Sequence, residues 1–445
     1  MARICDGDIV DDALLPGAPS AHNIPTQEEM HEMDFTEGEE LAISLPVWSD
    51  EEEEEEAPHE RRRPDVERQA AHALELMRAV APQHIHATRA LHADVALLEP
   101  PKLSAPFAIE HRHVAQLSAA QFEEEFVRRR RPAMLHGVPE QGHWRALARW
   151  GSVDAMCEHY GGMPLRVWEV PSVSGMGKGM PVELPLRHYA EYAREATADS
   201  PYYVFQKQFD ARHDALRADY AVPPFFADDV YDTTPKIRAQ FPLYRYFVVG
   251  GPRTGSNMHT DPHFTAAWNA LLCGRKRWVL FPPECTTAEL GMAVLERQVR
   301  EPPGYWWRDV YPELVASGRA ERLGMVEAVQ YPGDTIYVPQ GWHHCVLNLE
   351  WTVAVTQNLL MPAMLPAVWP QLAAKFPSFA GFLVRRLRRH RPGVVADLEE
   401  RGVLRAAEFD DPDSDGEEDE HEGFRLYKVM LYKLVLLLLS TADPD

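Results

Sequence analysis

The sequence predicts a mainly β core, a sandwich or barrel, flanked by helices on both sides. Three observations lead there. Between about residues 165 and 361, short β-branched and aromatic runs alternate with Gly/Pro turns: "PLRVWEV", "YYVF", "YRYFVVGGP", "KRWVLFPP", "DTIYVPQG" and "WTVAVTQN". Many short strands at such spacing mark an all-β domain. Ahead of them, "VERQAAHALELMRAV" and "SAAQFEEEFVRRRRPAML" repeat apolar residues at three and four, and helical spacing returns after Pro362.

Residues 1–66 are rich in Glu, Asp, Pro and small residues and contain "DEEEEEE". Such a segment buries too little apolar surface to offset its ordering entropy and reads as a disordered acidic tail. Residues 67–164 form a helical part with the first strands; in it, Ser118 caps a helix that ends before Pro132 and feeds a strand. The run Arg128–Arg131 sits at that helix end, where cations complement the dipole. Residues 165–361 make the β domain. Residues 362–445 are helical, broken by an acidic loop at 408–423, and finish in "FRLYKVMLYKLVLLLL". That last helix is apolar nearly all round, which suits a core helix or a protein–protein interface such as a homodimer contact.

The net charge of −23 is uneven: Asp50–Glu56 holds seven acids and Glu408–Glu422 ten, so the remainder carries about −6. A body so mildly acidic argues against direct nucleic-acid binding through a basic face. Five cysteines without a CxxC pair read as reduced thiols of an intracellular protein. "MARICDGDIV" lacks the features of a secretory leader. The longest apolar run, "LVLLLL" at 434–439, is far short of the roughly 20 residues of a membrane span. The expectation is a soluble chain that is neither secreted nor membrane-bound.

The chemistry concentrates in "SNMHTDPHF" at 256–264. Alternate residues of a strand share a face, so His259 and Asp261 can aim an imidazole and a carboxylate at one point. His263 lies beyond Pro262, outside the alternation, and reads as a loop residue near the entrance. His92 and Asp94 repeat the HxD spacing in a helical stretch, where i and i+2 diverge. A third ligand is offered some 85 residues after His259, by the histidines of "GDTIYVPQGWHHCVLNL". Two histidines and one carboxylate with open positions describe a non-haem Fe(II) oxygenase site. Between them, Lys276 starts an apolar strand; a cation inside an apolar pocket needs an anionic partner.

"YRYFVVGGPRTGSNMHTDPHFTAAWNALLCGRKRWVLFPPE" and "PGDTIYVPQGWHHCVLNLEWTVAVTQNLL" resemble the JmjC-domain oxygenases, most of all their protein-lysyl 5-hydroxylase and arginine demethylase (phosphatidylserine-receptor-like) group. The resemblance runs from about Leu117 to Asn358 and takes in "SPYYVF" and "DYAVPPFFADDVY". It implies a double-stranded β-helix, the cupin/JmjC jelly roll, with flanking N- and C-terminal helices. By position it implies Fe(II) on His259, Asp261 and one late histidine, with 2-oxoglutarate and O2 as co-substrates. Lys276 would pair with the distal carboxylate of 2-oxoglutarate and Thr356 would hydrogen-bond it. Tyr203, Asn269 and Asn358 would be further polar contacts. The family usually has an aromatic before the late ligand, where this chain reads "GWHH"; counting back twelve from Thr356 selects His344. His343 would then face a neighbouring side of the pocket or be structural.

The resemblance implies a dioxygenase hydroxylating lysyl side chains of proteins. The alternatives are an N-methyl-arginine or N-methyl-lysine demethylase and, in another class, a non-catalytic cupin-like scaffold. Acidic segments would attract a basic, arginine-rich protein substrate by long-range steering. The clusters "ERRRP" at 60–64 and "RRLRRHRP" at 385–392 suit nuclear import, with the cytoplasm as the other expectation.

Overall fold

The computed structural model describes residues 95–101, 105–168, 182–199, 201–207, 209, 211–241, 244–291 and 303–405. The acidic tail, the helix expected at "VERQAAHALELMRAV", the acidic loop 408–423 and the apolar last helix lie outside the described residues.

Among the described residues, thirteen strands form two sheets. They are β1 (Glu110–His113), β2 (Ala133–His136), β3 (Pro164–Trp168), β4 (Val182–Pro185), β5 (Tyr203–Gln206), β6 (Arg245–Gly250), β7 (Gly255–His259), β8 (Ala266–Cys273), β9 (Lys276–Phe281), β10 (Val326–Gln330), β11 (Asp334–Val338), β12 (His343–Asn348) and β13 (Thr352–Leu359). The large sheet runs β1-β2-β11-β8-β13-β6-β5-β3-β4 and the small one β10-β9-β12-β7. All neighbours are antiparallel except β1 and β2. From β6 to β13 the chain winds between the sheets, so β11-β8-β13-β6 oppose the four small-sheet strands. This is the expected jelly-roll core. It also reaches back before residue 165, because β2 pairs with β11 in register Asp334↔His136.

Strand alternation divides the side chains into inner and outer layers. On β9 and β12 the inner set is Lys276, Trp278 and Leu280 facing His344, Val346 and Asn348. The outer set, Val279, Phe281, Cys345 and Leu347, packs under Trp306, Trp307 and Leu314 from the β9–β10 connection. On the large sheet, Phe247, Val249, Trp268, Ala270, Val353 and Val355 face outward into the main apolar core. Helices cover that face, among them Leu365–Lys375, Pro377–His390 and Pro392–Glu400.

The entry helix begins as expected, with a reciprocal capping box between Ser118 and Gln121. It then widens into a π turn, Glu123–Val127, before β2. The basic run after it is taken up by acids: Arg128 meets Glu123 at 2.5 Å, Arg129 meets Glu124 at 3.6 Å, and Arg131 pairs with Glu110. The cluster 385–390 is the outer side of a packed helix whose Leu383, Val384 and Leu387 are buried. Among the described residues no helix is long and apolar enough to cross a membrane.

Candidate metal and co-substrate site

β7 and β12 lie side by side with His259 opposite His344, and their ring centroids are 4.1 Å apart. Asp261 follows on extended backbone (φ −64°, ψ 145°), just before the turn Pro262–Phe264. One ligand atom from each of His259, Asp261 and His344 lies within 4.8 Å of the others. Sequence alternation paired His259 with Asp261; antiparallel register brings in His344 from a strand 85 residues away.

Both imidazoles are fixed in one tautomer. The Nδ1 of His259 lies 2.6 Å from the Asn257 carbonyl, and that of His344 3.2 Å from the Trp342 carbonyl. A carbonyl only accepts, so each Nδ1 carries the proton and each Nε2 keeps its lone pair for a metal. Burial, and secondarily His344, lowers the His259 pKa to about 3; burial lowers that of His344 to about 4. Burial also raises the Asp261 carboxyl, against the pull of His259 and Asn358. Asp261 is partly exposed as a residue, yet its Oδ2 is buried and has no hydrogen-bond partner among the described residues. A buried carboxylate oxygen left open beside two imidazole lone pairs fits a cation with nitrogen and oxygen ligands.

Below this triad, on the same inner face, sits Lys276, 2% exposed. Its Nζ donates to Oδ1 of Asn348 at 2.9 Å, and among the described residues no carboxylate pairs with it. Burial lowers its pKa to about 7. The adjacent Arg277 shows the contrast. It points outward, is also buried, and meets Glu327 at 2.7 Å beneath Trp307 and Tyr311. One cation has its counter-ion built in. The other waits for one.

The cradle around Lys276 includes groups the motif reading did not assign. Asn348 donates through Nδ2 to the Thr254 hydroxyl at 2.7 Å and also hydrogen-bonds Tyr203. Burial pushes the Tyr203 phenol far above its usual range. Gly250 makes room for that ring: a Cβ there would lie 2.5 Å from it and 2.3 Å from the Thr254 Oγ1. Trp278 lies nearly parallel to His344, with ring centroids 6.1 Å apart. Strand parity was the available signal for Asn348, two steps past His344 on the inner face. Thr254 lies in the β6–β7 turn and left no periodic signal.

The remaining expected contacts divide. Asn269 faces inward opposite Thr356, and its side-chain oxygen is buried without a partner among the described residues, as an open ligand contact would be. Thr356 is engaged: its hydroxyl donates to the Trp268 carbonyl at 2.8 Å, so it can donate to a bound carboxylate only by leaving that bond. Asn358 serves Asp261, hydrogen-bonding that carboxylate and donating to the Thr265 hydroxyl at 3.0 Å. His343 does not face the pocket. It aligns with Phe281 on the outer parity of β12 and hydrogen-bonds the backbone of Cys285 in the turn after β9.

The model of the cupin-like domain family matches residues 119–361. The bifunctional arginine demethylase and lysyl-hydroxylase psr-1 of Caenorhabditis elegans is 30% identical over 302 residues, 67% of this chain and 73% of that protein. The lysine-specific demethylase JMJ21 of Arabidopsis thaliana is 37% identical over 254 residues, 55% of this chain but only 24% of that one. The 2-oxoglutarate and iron-dependent oxygenase JMJD4 of Mus musculus is 27% identical over 194 residues, 41% and 43% of the two chains. The matched region contains the winding of β6–β13, the two histidines and aspartate at its mouth, and the inward lysine below them. The chain therefore belongs to the cupin-like domain family and, within it, to the JmjC oxygenases dependent on iron(II) and 2-oxoglutarate.

Proposed function

We propose that this chain hydroxylates lysyl side chains of proteins, with Fe(II) held by His259, Asp261 and His344. The observation that carries the reading is the shared inner face: three converging ligand atoms above, and below them a buried lysine with no carboxylate partner among the described residues. Lys276 would bind the distal carboxylate of 2-oxoglutarate, held in position by Asn348, with Tyr203 and Thr254 behind it. Asn269 supplies a further polar contact, Thr356 one on rotation, and Asn358 acts by steadying Asp261. Trp278, Leu280 and Val346 line the pocket with apolar surface that excludes water. Iron so held would supply the chemistry by which 2-oxoglutarate and O2 give succinate and CO2 while one oxygen atom enters a substrate C–H bond.

The same iron site serves N-methyl groups, whose hydroxylation releases formaldehyde. Relatives named as demethylases favour that second reading. One experiment separates the two. The protein is loaded anaerobically with Fe(II) and 2-oxoglutarate, mixed with unmodified and methylated peptides, exposed to O2 and read by mass spectrometry. Gain of oxygen on lysine, absent from His344→Ala, is the expected result; loss of methyl alone would replace hydroxylase by demethylase. A scaffold would form no succinate and would keep its partner binding in His259→Ala.

Three finer statements belong to the same proposal. The substrate is basic or arginine-rich, drawn by the acidic segments, so its capture weakens as salt rises. The apolar segment 424–439 joins two copies, which the molar mass from light scattering would reveal and truncation at residue 423 would abolish. A nuclear location rests on "ERRRP" at 60–64; a fluorescent fusion that stays cytoplasmic would remove it.

A further inference from the structure

Three residues after Asp261, the backbone makes a bend that its sequence does not favour. Phe264 has φ +57°, in the left-handed region that bulky side chains avoid. It closes the turn Pro262–Phe264, which Thr265 secures by donating its hydroxyl to the Pro262 carbonyl at 2.8 Å. A residue held in so sparse a region needs surrounding contacts that over-determine it.

Those contacts come from more than a hundred residues further along. The Phe264 ring packs edge-on against Phe376, centroids 6.2 Å apart at 60°, and the Lys375 ammonium lies 5.4 Å above its centroid. Lys375 and Phe376 form the corner between the helices Leu365–Lys375 and Pro377–His390. The corner is itself anchored, with Phe376 N–H donating to the Leu372 carbonyl at 2.8 Å and Leu372 buried in the main core. On the other side of the turn, Asn358 of β13 bonds both Thr265 and Asp261.

We propose that Phe264 is a positioning residue: clamped by the Lys375–Phe376 corner, its ring holds the left-handed bend that aims the Asp261 carboxylate at His259 and His344. The inference rests on the reading of Asp261 as a metal ligand. It makes metal affinity depend on the helical region after the β domain, without any residue of that region touching the metal. Supports of this kind carry about tenfold to a hundredfold in metal affinity.

The test measures Co(II) binding to the full chain by its visible absorption, with no co-substrate and no turnover. Phe264→Ala and Phe376→Ala should each weaken Co(II) by about tenfold or more, and the double variant should be little worse than either, since both remove one contact. Phe264→Tyr keeps the ring and should bind within about twofold of the native protein. Phe264→Gly separates bend from clamp: glycine accepts the left-handed conformation freely, so a loss persisting there belongs to the ring. Native affinity in Phe264→Gly and Phe376→Ala would overturn the proposal. Where Phe264→Ala fails to fold, Phe376→Leu and Lys375→Ala carry the same comparison. Failure of the native chain to bind Co(II) would instead overturn the ligand assignment, and this inference with it.

Discussion

Binding of 2-oxoglutarate should take up a proton, and Lys276 should be where it goes. Burial alone lowers this lysine to about 7, with an amide oxygen as its hydrogen-bond partner. At pH 8 only about a tenth of the ligand-free protein would carry the ammonium, whereas a carboxylate at ion-pairing distance restores it almost fully. Uptake should therefore be about 0.9 proton per site at pH 8, and affinity should fall roughly fiftyfold between pH 7 and 9, about 2.3 kcal/mol. Titration calorimetry on manganese-loaded protein, in buffers of differing ionisation enthalpy, measures the uptake directly. Lys276→Arg keeps a permanent charge and should show almost none. Uptake below about 0.2 in the native protein, or equal uptake in Lys276→Arg, would refute the assignment. The sign for stability follows from the same shift. From about pH 7 to 10.5 the unfolded chain binds the proton that the ligand-free fold gives up, so this residue's contribution rises with pH.

The neighbouring cations should part company in stability: Lys276→Met should hold or raise the melting temperature of the ligand-free protein at pH 7 while abolishing 2-oxoglutarate binding. Arg277→Met, which strands the buried Glu327, should cost about 3–5 kcal/mol by denaturant titration. Asn348→Leu removes the oxygen that holds the Lys276 ammonium and should cost about 1–3 kcal/mol, together with weaker 2-oxoglutarate binding by calorimetry. His344→Ala should reduce Co(II) binding by more than about a hundredfold, whereas His343→Ala, on the outer parity, should leave it within about twofold. Gly250→Ala drives a methyl into Tyr203 and Thr254 and should lower stability by about 1–3 kcal/mol, seen as an earlier thermal transition.

What could be read from the sequence was what periodicity encodes. HxD at a strand end put His259 and Asp261 on one point, and the count back from Thr356 selected His344, which the register of β12 places opposite His259. Alternation also decides His343, once β12 is known to start there. The pairing of β2 with β11 was not legible, because that register joins residues about two hundred positions apart and neither partner names the other. Nor was the bend at Phe264, since a phenylalanine codon carries no signal for positive φ. The engagement of Thr356 with Trp268 escaped for a related reason: residue type tells that a hydroxyl is present, and only geometry tells which acceptor holds its proton.

The inner and outer faces of one strand explain why the site sits where it does. β9 begins with two consecutive cations, and alternation sends them to opposite sides of the small sheet. Outward, Arg277 meets Glu327, and Tyr311 donates its hydroxyl to the same carboxylate, so the charge is neutralised within the fold. Inward lie Lys276, which meets only an amide oxygen, and the Asp261 Oδ2 and Asn269 oxygen, which have no partner among the described residues; their burial costs stability as long as nothing answers them. A scaffold would gain by replacing each with an apolar side chain of similar volume. Turning all three toward the space between the two sheets is what binding a metal and a dicarboxylate there would require.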